Sequence, residues 1–174
     1  ILWNSGGTLK AKMLGDNLVE TEIGVSKTHW SEIPLSESLK TKNLNIKLLD
    51  RNNKEHTGGT AVNVGNPHVV FFVDNIENYD LQKIGPTIEN HKLFPKKCNV
   101  TLSKVINNKL VKGRVGERGA GLTKACGTGA CATAVSGYIN ELIEKRVDIE
   151  FSLGKLSISI DENEVSPLPH SKLF

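Results

Sequence analysis

The chain reads GERGAGLTKACGTGACA from Gly116 to Ala132, and this stretch leads from a glycine-rich loop into the strongest predicted helix. Apolar residues recur at helical spacing from about residue 129 to residue 145. Cys126 lies just before that helix, where unpaired backbone N–H groups and the helix dipole create a partial positive charge. Such a position favours a thiolate, with thiol pKa values of roughly 3.5 to 7.5. The same N–H groups can bind a carboxylate, and the glycines after Cys126 let a ligand approach the backbone closely.

Outward from this helix, the chain consists mainly of short segments in which apolar and polar residues alternate, as in β-strands. Turns at 15–17 and 107–108 and near Gly154 join segments into three hairpins, and residues 65–68 separate two further strands. Asp80 predicts the cap of a short helix that Gly85-Pro86 interrupts, and the polar segment 50–59 predicts a loop. The predicted strands are 8–14, 18–23, 60–64, 69–73, 99–106, 110–115, 147–151 and 155–160. This pattern indicates an α+β fold in which a mostly antiparallel, barrel-like sheet wraps around one central helix at about 129–145.

Composition excludes several classes of protein. The chain has 174 residues, a net charge of +3 and 38% hydrophobic residues, which suits one domain with a real core. Its basic residues are spread out and only 5% of its residues are aromatic, so we expect no nucleic-acid partner. No apolar run approaches the roughly 18 residues that a membrane span needs, so we expect no membrane partner.

The three cysteines, Cys98, Cys126 and Cys131, do not suggest a disulfide framework. Free thiols predict a reducing compartment and hence a cytoplasmic protein. No group of cysteines and histidines has the spacing of metal ligands, so we expect no metal. Cys131 is interpreted as a core residue, whereas the surrounding glycines and the Glu117-Arg118 segment favour a catalytic role for Cys126.

Three further segments carry candidate site residues. Glu117 and Arg118 form a charged pair nine and eight residues before the thiol, and arginine can bind a carboxylate through two hydrogen bonds. Asn66 and His68 place an amide and an imidazole on a predicted tight turn between strands. Asn99 starts another predicted strand with a second amide.

The motifs resemble those of the diaminopimelate epimerase family. Glu117-Arg118-Gly-Ala-Gly followed by Ala125-Cys126-Gly-Thr-Gly-Ala-Cys is similar to the second cysteine motif of that family. Asn66-Pro67-His68 and the stretch 91–100 also resemble family motifs, in the family's order. The resemblance implies interconversion of LL- and meso-diaminopimelate, a precursor of lysine and peptidoglycan. It implies no cofactor, a small amino-acid substrate and a homo-oligomer, commonly a dimer.

The resemblance also implies roles for single residues. Two cysteines on opposite faces of the α-carbon exchange protons as thiolate base and thiol acid, and Cys126 would be one of them. Backbone N–H groups of Gly127 and Thr128 would bind the α-carboxylate. The remaining candidates would bind the distal end of the substrate or support catalysis: Glu117 and Arg118 at the distal charged groups or as tuning residues, Asn66 and Asn99 at the distal end, and His68 beside the site.

The second cysteine of the pair is not in this sequence. The family carries it in an upstream Cys-Gly-Asn-Gly motif, which does not occur here. We therefore expect residues 1–26 to be the remnant of an N-terminal domain, residues 27–174 to be the C-terminal epimerase domain, and the chain alone to be inactive. The missing N-terminal domain is then a partner. The sequence also departs from the family at Gly116, where an aromatic is usual, at Leu122, where a glutamate is usual, and at Ser166, where a Gly-Pro is usual.

Alternatives remain open at this stage. Proline and hydroxyproline racemases share the fold and a Cys-Gly-Thr-Gly motif, although Lys124-Ala125 precede the cysteine here. Phenazine-biosynthesis-type isomerases share the scaffold but lack the cysteine. A degenerate binding module of the same fold is the non-enzymatic alternative.

Overall fold

The structure is a computed structural model. It describes the backbone of residues 2–4, 7–15, 18–22, 24–124, 126–161 and 170–173, with side chains described within 24–161 except at 123 and 125. None of the helices in these ranges is both long enough and apolar enough to cross a membrane.

Fourteen strands and two α-helices make up the described chain. The strands are β1 (Leu2–Asn4), β2 (Gly7–Gly15), β3 (Leu18–Glu22), β4 (Gly24–Lys27), β5 (Ile46–Leu49), β6 (Glu55–Gly58), β7 (Thr60–Asn63), β8 (Pro67–Phe72), β9 (Asn99–Asn107), β10 (Leu110–Glu117), β11 (Gly121–Thr123), β12 (Arg146–Phe151), β13 (Gly154–Asp161) and β14 (His170–Leu173). The helices are α1 (Leu81–Glu89) and α2 (Gly127–Ile139), and a single 3-10 turn spans Ile76–Asn78.

Nine strands form one curled, mixed sheet in the order β11-β10-β12-β13-β14-β4-β7-β8-β9. Strand β9 also pairs with β10, so the sheet curls back on itself around α2. Most pairings are antiparallel, but β8 with β9 and β10 with β12 run parallel. Strands β1–β3 form a separate three-stranded sheet, and β5 pairs with β6. The predicted α+β class and the sheet wrapped around a helix are confirmed.

Both faces of the sheet are buried, because its strands carry apolar side chains on each face. On β8, Val70 points to the core around α2, whereas Val69 and Phe71 belong to a second core on the outer face. Helix α1 supplies Leu81 and Ile88 to that outer core. The short strands therefore support two cores, one inside the curl and one outside it.

Helix α2 fits inside the curl because its side chains are small. Every residue from Gly129 to Gly137 is buried. A Cβ at Gly137 would lie 2.8 Å from Ile143 Cδ1, and one at Gly129 would lie 2.8 Å from Val115 Cγ2. Larger residues on these faces would push the strands away from the helix.

The predicted hairpins β2–β3, β9–β10 and β12–β13 are confirmed as antiparallel pairs, and the predicted strands β7 and β8 pair in the same way. Asp16 and Asn17 of the first predicted turn, Ile23 of the second strand and the departure at Ser166 lie outside the described residues. The segment predicted as loop 50–59 is wrong in part, because Glu55–Gly58 is strand β6. Asp50 accepts the N–H groups of Asn52 and Lys54 at 2.8 Å, and this turn brings the polar segment back onto β5.

Both predicted helices have different bounds from those expected. Helix α2 runs from 127 to 139, not 129 to 145, because the chain turns left-handed at Glu141, with φ of 59°. The N–H of Leu142 donates to Gly137 O at 2.9 Å, which closes the helix as a Schellman motif. Helix α1 continues through Gly85-Pro86 to Glu89, since Leu81 and Ile88 anchor both ends in the outer core. Asp80 takes the N-cap position without a side-chain cap bond.

Candidate active site

Cys126 caps the N-terminus of α2 with extended backbone angles of φ −147° and ψ 115°. The Gly129 N–H donates to Cys126 Sγ, with N and S 3.2 Å apart. The Thr128 hydroxyl oxygen lies 3.4 Å from the same sulfur. The prediction that Cys126 lies just before the strong helix is therefore confirmed, with the helix starting immediately after it.

The expected lowering of the thiol pKa by the helix terminus is wrong for this chain. Burial raises the pKa of Cys126, and only 9% of the residue is exposed. The hydrogen bonds with Thr128 and Gly129 act in the opposite direction but do not cancel the rise. Glu117 adds to the rise through its charge and through a hydrogen bond to the thiol. Desolvation of the thiolate therefore outweighs the favourable N–H groups.

His68 lies on β8 rather than on the predicted turn, and it is fully buried. Its Nε2 atom is 3.0 Å from Asn66 Oδ1, 3.2 Å from Asn99 Nδ2 and 3.2 Å from Thr128 Oγ1. Burial, and secondarily the charge of Arg118, lower the pKa of His68 to about 3. The imidazole is therefore neutral at physiological pH. Its Nδ1 forms no hydrogen bond with any described residue.

Asn99 connects this cluster to the Glu117-Arg118 segment. The backbone N–H of Arg118 donates to Asn99 Oδ1 at 2.7 Å, which fixes the direction of the amide. The exposed Arg118 guanidinium donates to Lys96 O at 2.9 Å. The two residues of the charged pair therefore differ in position. Glu117 interacts with the thiol of Cys126, and Arg118 lies on the rim of the site.

The structure brings together the candidate residues from four separate segments. The connected set comprises Asn66, His68, Asn99, Glu117, Arg118, Cys126, Gly127, Thr128 and Gly129. A Cβ added at Gly127 would meet no atom within 4 Å, so space is open beside the first turn of α2. The backbone N–H groups of Gly127 and Thr128 donate to none of the described residues. The site can therefore hold an anion at the helix terminus beside a thiol.

The sequence reasoning missed the side chain of Thr128, which was assigned only a backbone role. Its hydroxyl is the contact between Cys126 and His68. The signal was available, because a side chain two residues after an N-cap cysteine lies close to the sulfur in the first helical turn.

The other two cysteines take no part in this set. Cys98 is fully buried in the outer core, and Cys131 is 2% exposed in the inner core. Burial raises the pKa of Cys98 and raises that of Cys131 to about 12. Among the described residues, no group of three or more His, Cys, Asp or Glu side chains is placed to hold a metal ion.

The two described departures from the family motifs lie at the edge of the site. A Cβ at Gly116 would make ordinary contact with Leu81 Cγ at 3.7 Å, so a larger residue there would extend towards α1. Leu122, on β11, is 36% exposed.

A solved structure of another protein has a similar fold. A solved hydroxyproline epimerase from Agrobacterium vitis, with bound trans-4-hydroxy-L-proline, matches 97% of this chain and 52% of its own at a TM-score of 0.56. The two are 11% identical, so this match shows the fold alone. The curled sheet around the small-residue helix α2 is therefore a fold that this chain shares with the solved epimerase.

Sequence comparison identifies the family. The family model described as diaminopimelate epimerase matches residues 60–167. The diaminopimelate epimerase of Pelagibacter ubique is 66% identical over 161 residues, or 92% of this chain and 59% of the relative. That of Afipia carboxidovorans is 37% identical over 85% of this chain and 51% of the relative. This chain belongs to the diaminopimelate epimerase family, and it spans between half and three fifths of these relatives.

Proposed function

We propose that this chain supplies one half of the active site of a diaminopimelate epimerase, which interconverts the LL and meso forms of its substrate. The observation that carries the proposal is Cys126 at the N-cap of α2, beside the N–H groups of Gly127 and Thr128, which donate to none of the described residues. The N–H groups would bind the α-carboxylate and place the α-carbon against the sulfur.

The proton chemistry follows from that position. Inversion needs one proton removed from one face of the α-carbon and another delivered to the opposite face. Cys126 would serve one face, as thiol acid in one direction and thiolate base in the other. The raised pKa of Cys126 means that the thiol is the resting form in the chain alone. A second thiol for the other face would come from the part of the relatives that this chain does not match.

The remaining roles are proposed on the same geometry. Glu117 would tune Cys126, since its carboxylate interacts with the thiol. His68 would hold the cluster as a neutral imidazole. Arg118, on the rim, would bind the distal carboxylate of the substrate, and the amides of Asn66 and Asn99 would border the distal groups.

The setting of the enzyme is part of the proposal. The three cysteines are free, which suits a reducing cytoplasm. We place residues 1–26 with the missing N-terminal domain and residues 27–174 in the C-terminal domain, in a homodimeric enzyme that uses no cofactor in lysine biosynthesis. The sheets support a boundary just before residue 26, between β3 and β4, because β1–β3 form a separate sheet and β4 belongs to the nine-stranded sheet.

Exchange of the substrate α-proton with deuterium oxide tests the function. The chain would be assayed alone and joined to the part of the P. ubique relative that it does not match. We expect exchange only in the joined protein, and a loss of about 10²- to 10⁴-fold in its Cys126→Ala variant. Cys98→Ala, which alters a thiol in the outer core, is the matched control and should retain exchange.

Two results would contradict the proposal: exchange by the chain alone, or full exchange in joined Cys126→Ala. The same assay with trans-4-hydroxy-L-proline tests the racemase alternative. Exchange on that substrate, without exchange on diaminopimelate, would establish the alternative instead. A joined, folded protein that acts on neither substrate would support the degenerate binding module.

A further inference from the structure

The hydroxyl of Thr128 lies between the thiol and the buried histidine. Its Oγ1 atom is 3.4 Å from Cys126 Sγ and 3.2 Å from His68 Nε2. A hydroxyl can donate one hydrogen bond and accept others, so it can serve either neighbour as donor. Thr128 is thus placed to respond to the protonation state of the sulfur.

The direction of the bonds at His68 follows from Asn99. Asn99 Oδ1 accepts the Arg118 N–H at 2.7 Å, which leaves the Asn99 NH₂ group facing His68 Nε2 at 3.2 Å. Asn99 Nδ2 also donates to Pro67 O at 3.4 Å, so both ends of the Asn99 amide are bonded in this orientation. Nε2 therefore acts as an acceptor, which requires the Asn66 amide, 3.0 Å away, to turn its NH₂ group towards it. Nε2 can also accept from the Thr128 hydroxyl. Because His68 is fully buried and neutral, this acceptor persists across the physiological pH range.

We propose that Thr128 is a positioning residue whose hydroxyl reverses its hydrogen bond as Cys126 changes between thiol and thiolate. With the thiol, S–H donates to Oγ1, and the hydroxyl donates to His68 Nε2. With the thiolate, the hydroxyl rotates and donates to the sulfur, while Nε2 keeps the bond from Asn99. No proton leaves Thr128 or His68 in this exchange. The inference deepens the proposed role of Cys126 and rests on it.

Such a two-way partner matters because an epimerase thiol must be stable in both states. The other groups facing Cys126 each favour one state. Glu117, from the end of β10, and burial favour the thiol, and the Gly129 N–H favours the thiolate. Cys131, further along α2, interacts electrostatically with Cys126, and its own raised pKa keeps it a neutral thiol. Among the described side chains, Thr128 is the one that lowers the pKa of Cys126.

Alkylation of Cys126 by iodoacetamide as a function of pH tests the proposal in the chain as it exists. Thr128→Val keeps the side-chain shape but removes the hydroxyl, so the thiolate loses a donor. We expect the midpoint of the alkylation profile to move to higher pH, with labelling about three- to tenfold slower below the midpoint. Thr128→Ser should restore the original profile. Peptide mass spectrometry assigns the label, and Cys126→Ser provides the blank.

His68→Gln separates positioning from simple packing. In the parent chain this change should shift the alkylation midpoint, because the hydroxyl loses its partner. In the Thr128→Val background it should shift nothing further, since the connection is already broken. An unchanged midpoint in Thr128→Val, failure of Thr128→Ser to restore it, or additive shifts would overturn the inference. Thr128→Ala is the second variant if Thr128→Val does not fold, as judged by circular dichroism.

The two proposals can fail separately. Alkylation requires neither substrate nor the missing half, so a changed profile in a protein without epimerase activity would retain this inference. Epimerase activity with an unchanged profile would retain the proposed function alone.

Discussion

The two ends of helix α2 differ in whether their terminal backbone groups are hydrogen-bonded to described residues. At the C-terminal end, the Asn140 side chain donates to Ser136 O at 2.7 Å, and Lys42 Nζ donates to Ile139 O at 2.7 Å. Asn140 Nδ2 also donates to Thr60 Oγ1 at 3.0 Å. The last carbonyls of the helix are thus bonded by the side chain of its own C-cap, Asn140, and by Lys42 from elsewhere in the fold.

At the N-terminal end, the N–H groups of Gly127 and Thr128 have no partner among the described residues, and the cap is a cysteine. A buried histidine and a thiol, both with perturbed pKa values, lie at this end. The C-terminal end, whose carbonyls are bonded, is the closed end, and it fixes the helix in the sheet. The N-terminal end is the open end, where the N–H groups of Gly127 and Thr128 can bind a ligand. Perturbed groups beside unsatisfied donors are typical of functional sites.

Acid should distinguish the two ends most strongly, through His68. The neutral imidazole is the folded form, because burial lowers its pKa to about 3 from 6.5. Below pH 6.5 the unfolded chain takes up a proton at this histidine, whereas the folded chain does not. The contribution of His68 to the stability of the folded chain is therefore complete above pH 6.5 and is lost as the pH falls towards 3. We expect the free energy of unfolding to fall by up to about 1.4 kcal/mol per pH unit in this window. Urea unfolding at several pH values measures it.

The matched variants for this test are His68→Gln and Asn140→Ala. His68→Gln should flatten the pH dependence, whereas Asn140→Ala should lower stability equally at each pH. An equal slope in His68→Gln would show that other groups cause the acid sensitivity, and the contrast between the ends would fail.

Two glycines in the first turn of α2 provide the next test. A Cβ at Gly129 would lie 2.8 Å from Val115 Cγ2 and 3.3 Å from Cys126 Sγ, whereas one at Gly127 meets nothing within 4 Å. We expect Gly129→Ala to destabilise the chain by about 1–2 kcal/mol, since packing overrides the better helix propensity of alanine. Gly127→Ala should be neutral or slightly stabilising. Thermal unfolding of both variants checks this, and equal effects would contradict the packing difference.

The sequence predicted the N-terminal end of α2 far better than the C-terminal end. Cys126 and its glycines form a local motif, so the cap could be placed from neighbouring residues alone. The helix stop could not, because glycine or asparagine usually takes the left-handed position and here Glu141 does. Apolar residues also continue to Ile143, which returns to pack on Gly137 from outside the helix.

The pKa values and contacts in the site were harder to predict from the sequence than the residues that form it. Asn66, His68, Asn99 and Glu117 could be assembled from motifs, but the raised pKa of Cys126 depends on burial that only the folded sheet creates. Helix position alone predicted the opposite direction. The contact of the Thr128 hydroxyl with His68 likewise joins residues 60 positions apart, which no local pattern encodes.

The closed end of α2 gives the smallest expected effect. Asn140→Ala removes the side-chain bonds to Ser136 O and Thr60 Oγ1, but Ser136 O keeps the bond from the Asn140 backbone N–H, so we expect a loss of about 0.5–1 kcal/mol in the free energy of unfolding. The control is Asn108→Ala, which removes an exposed bond to Glu144 and should cost less than about 0.5 kcal/mol. Alkylation of Cys126 should be unchanged in both variants, because the closed end lies at the opposite end of the helix. A shifted Cys126 profile in Asn140→Ala would show that the ends are coupled, and the helix would then transmit changes from its anchored end to the thiol.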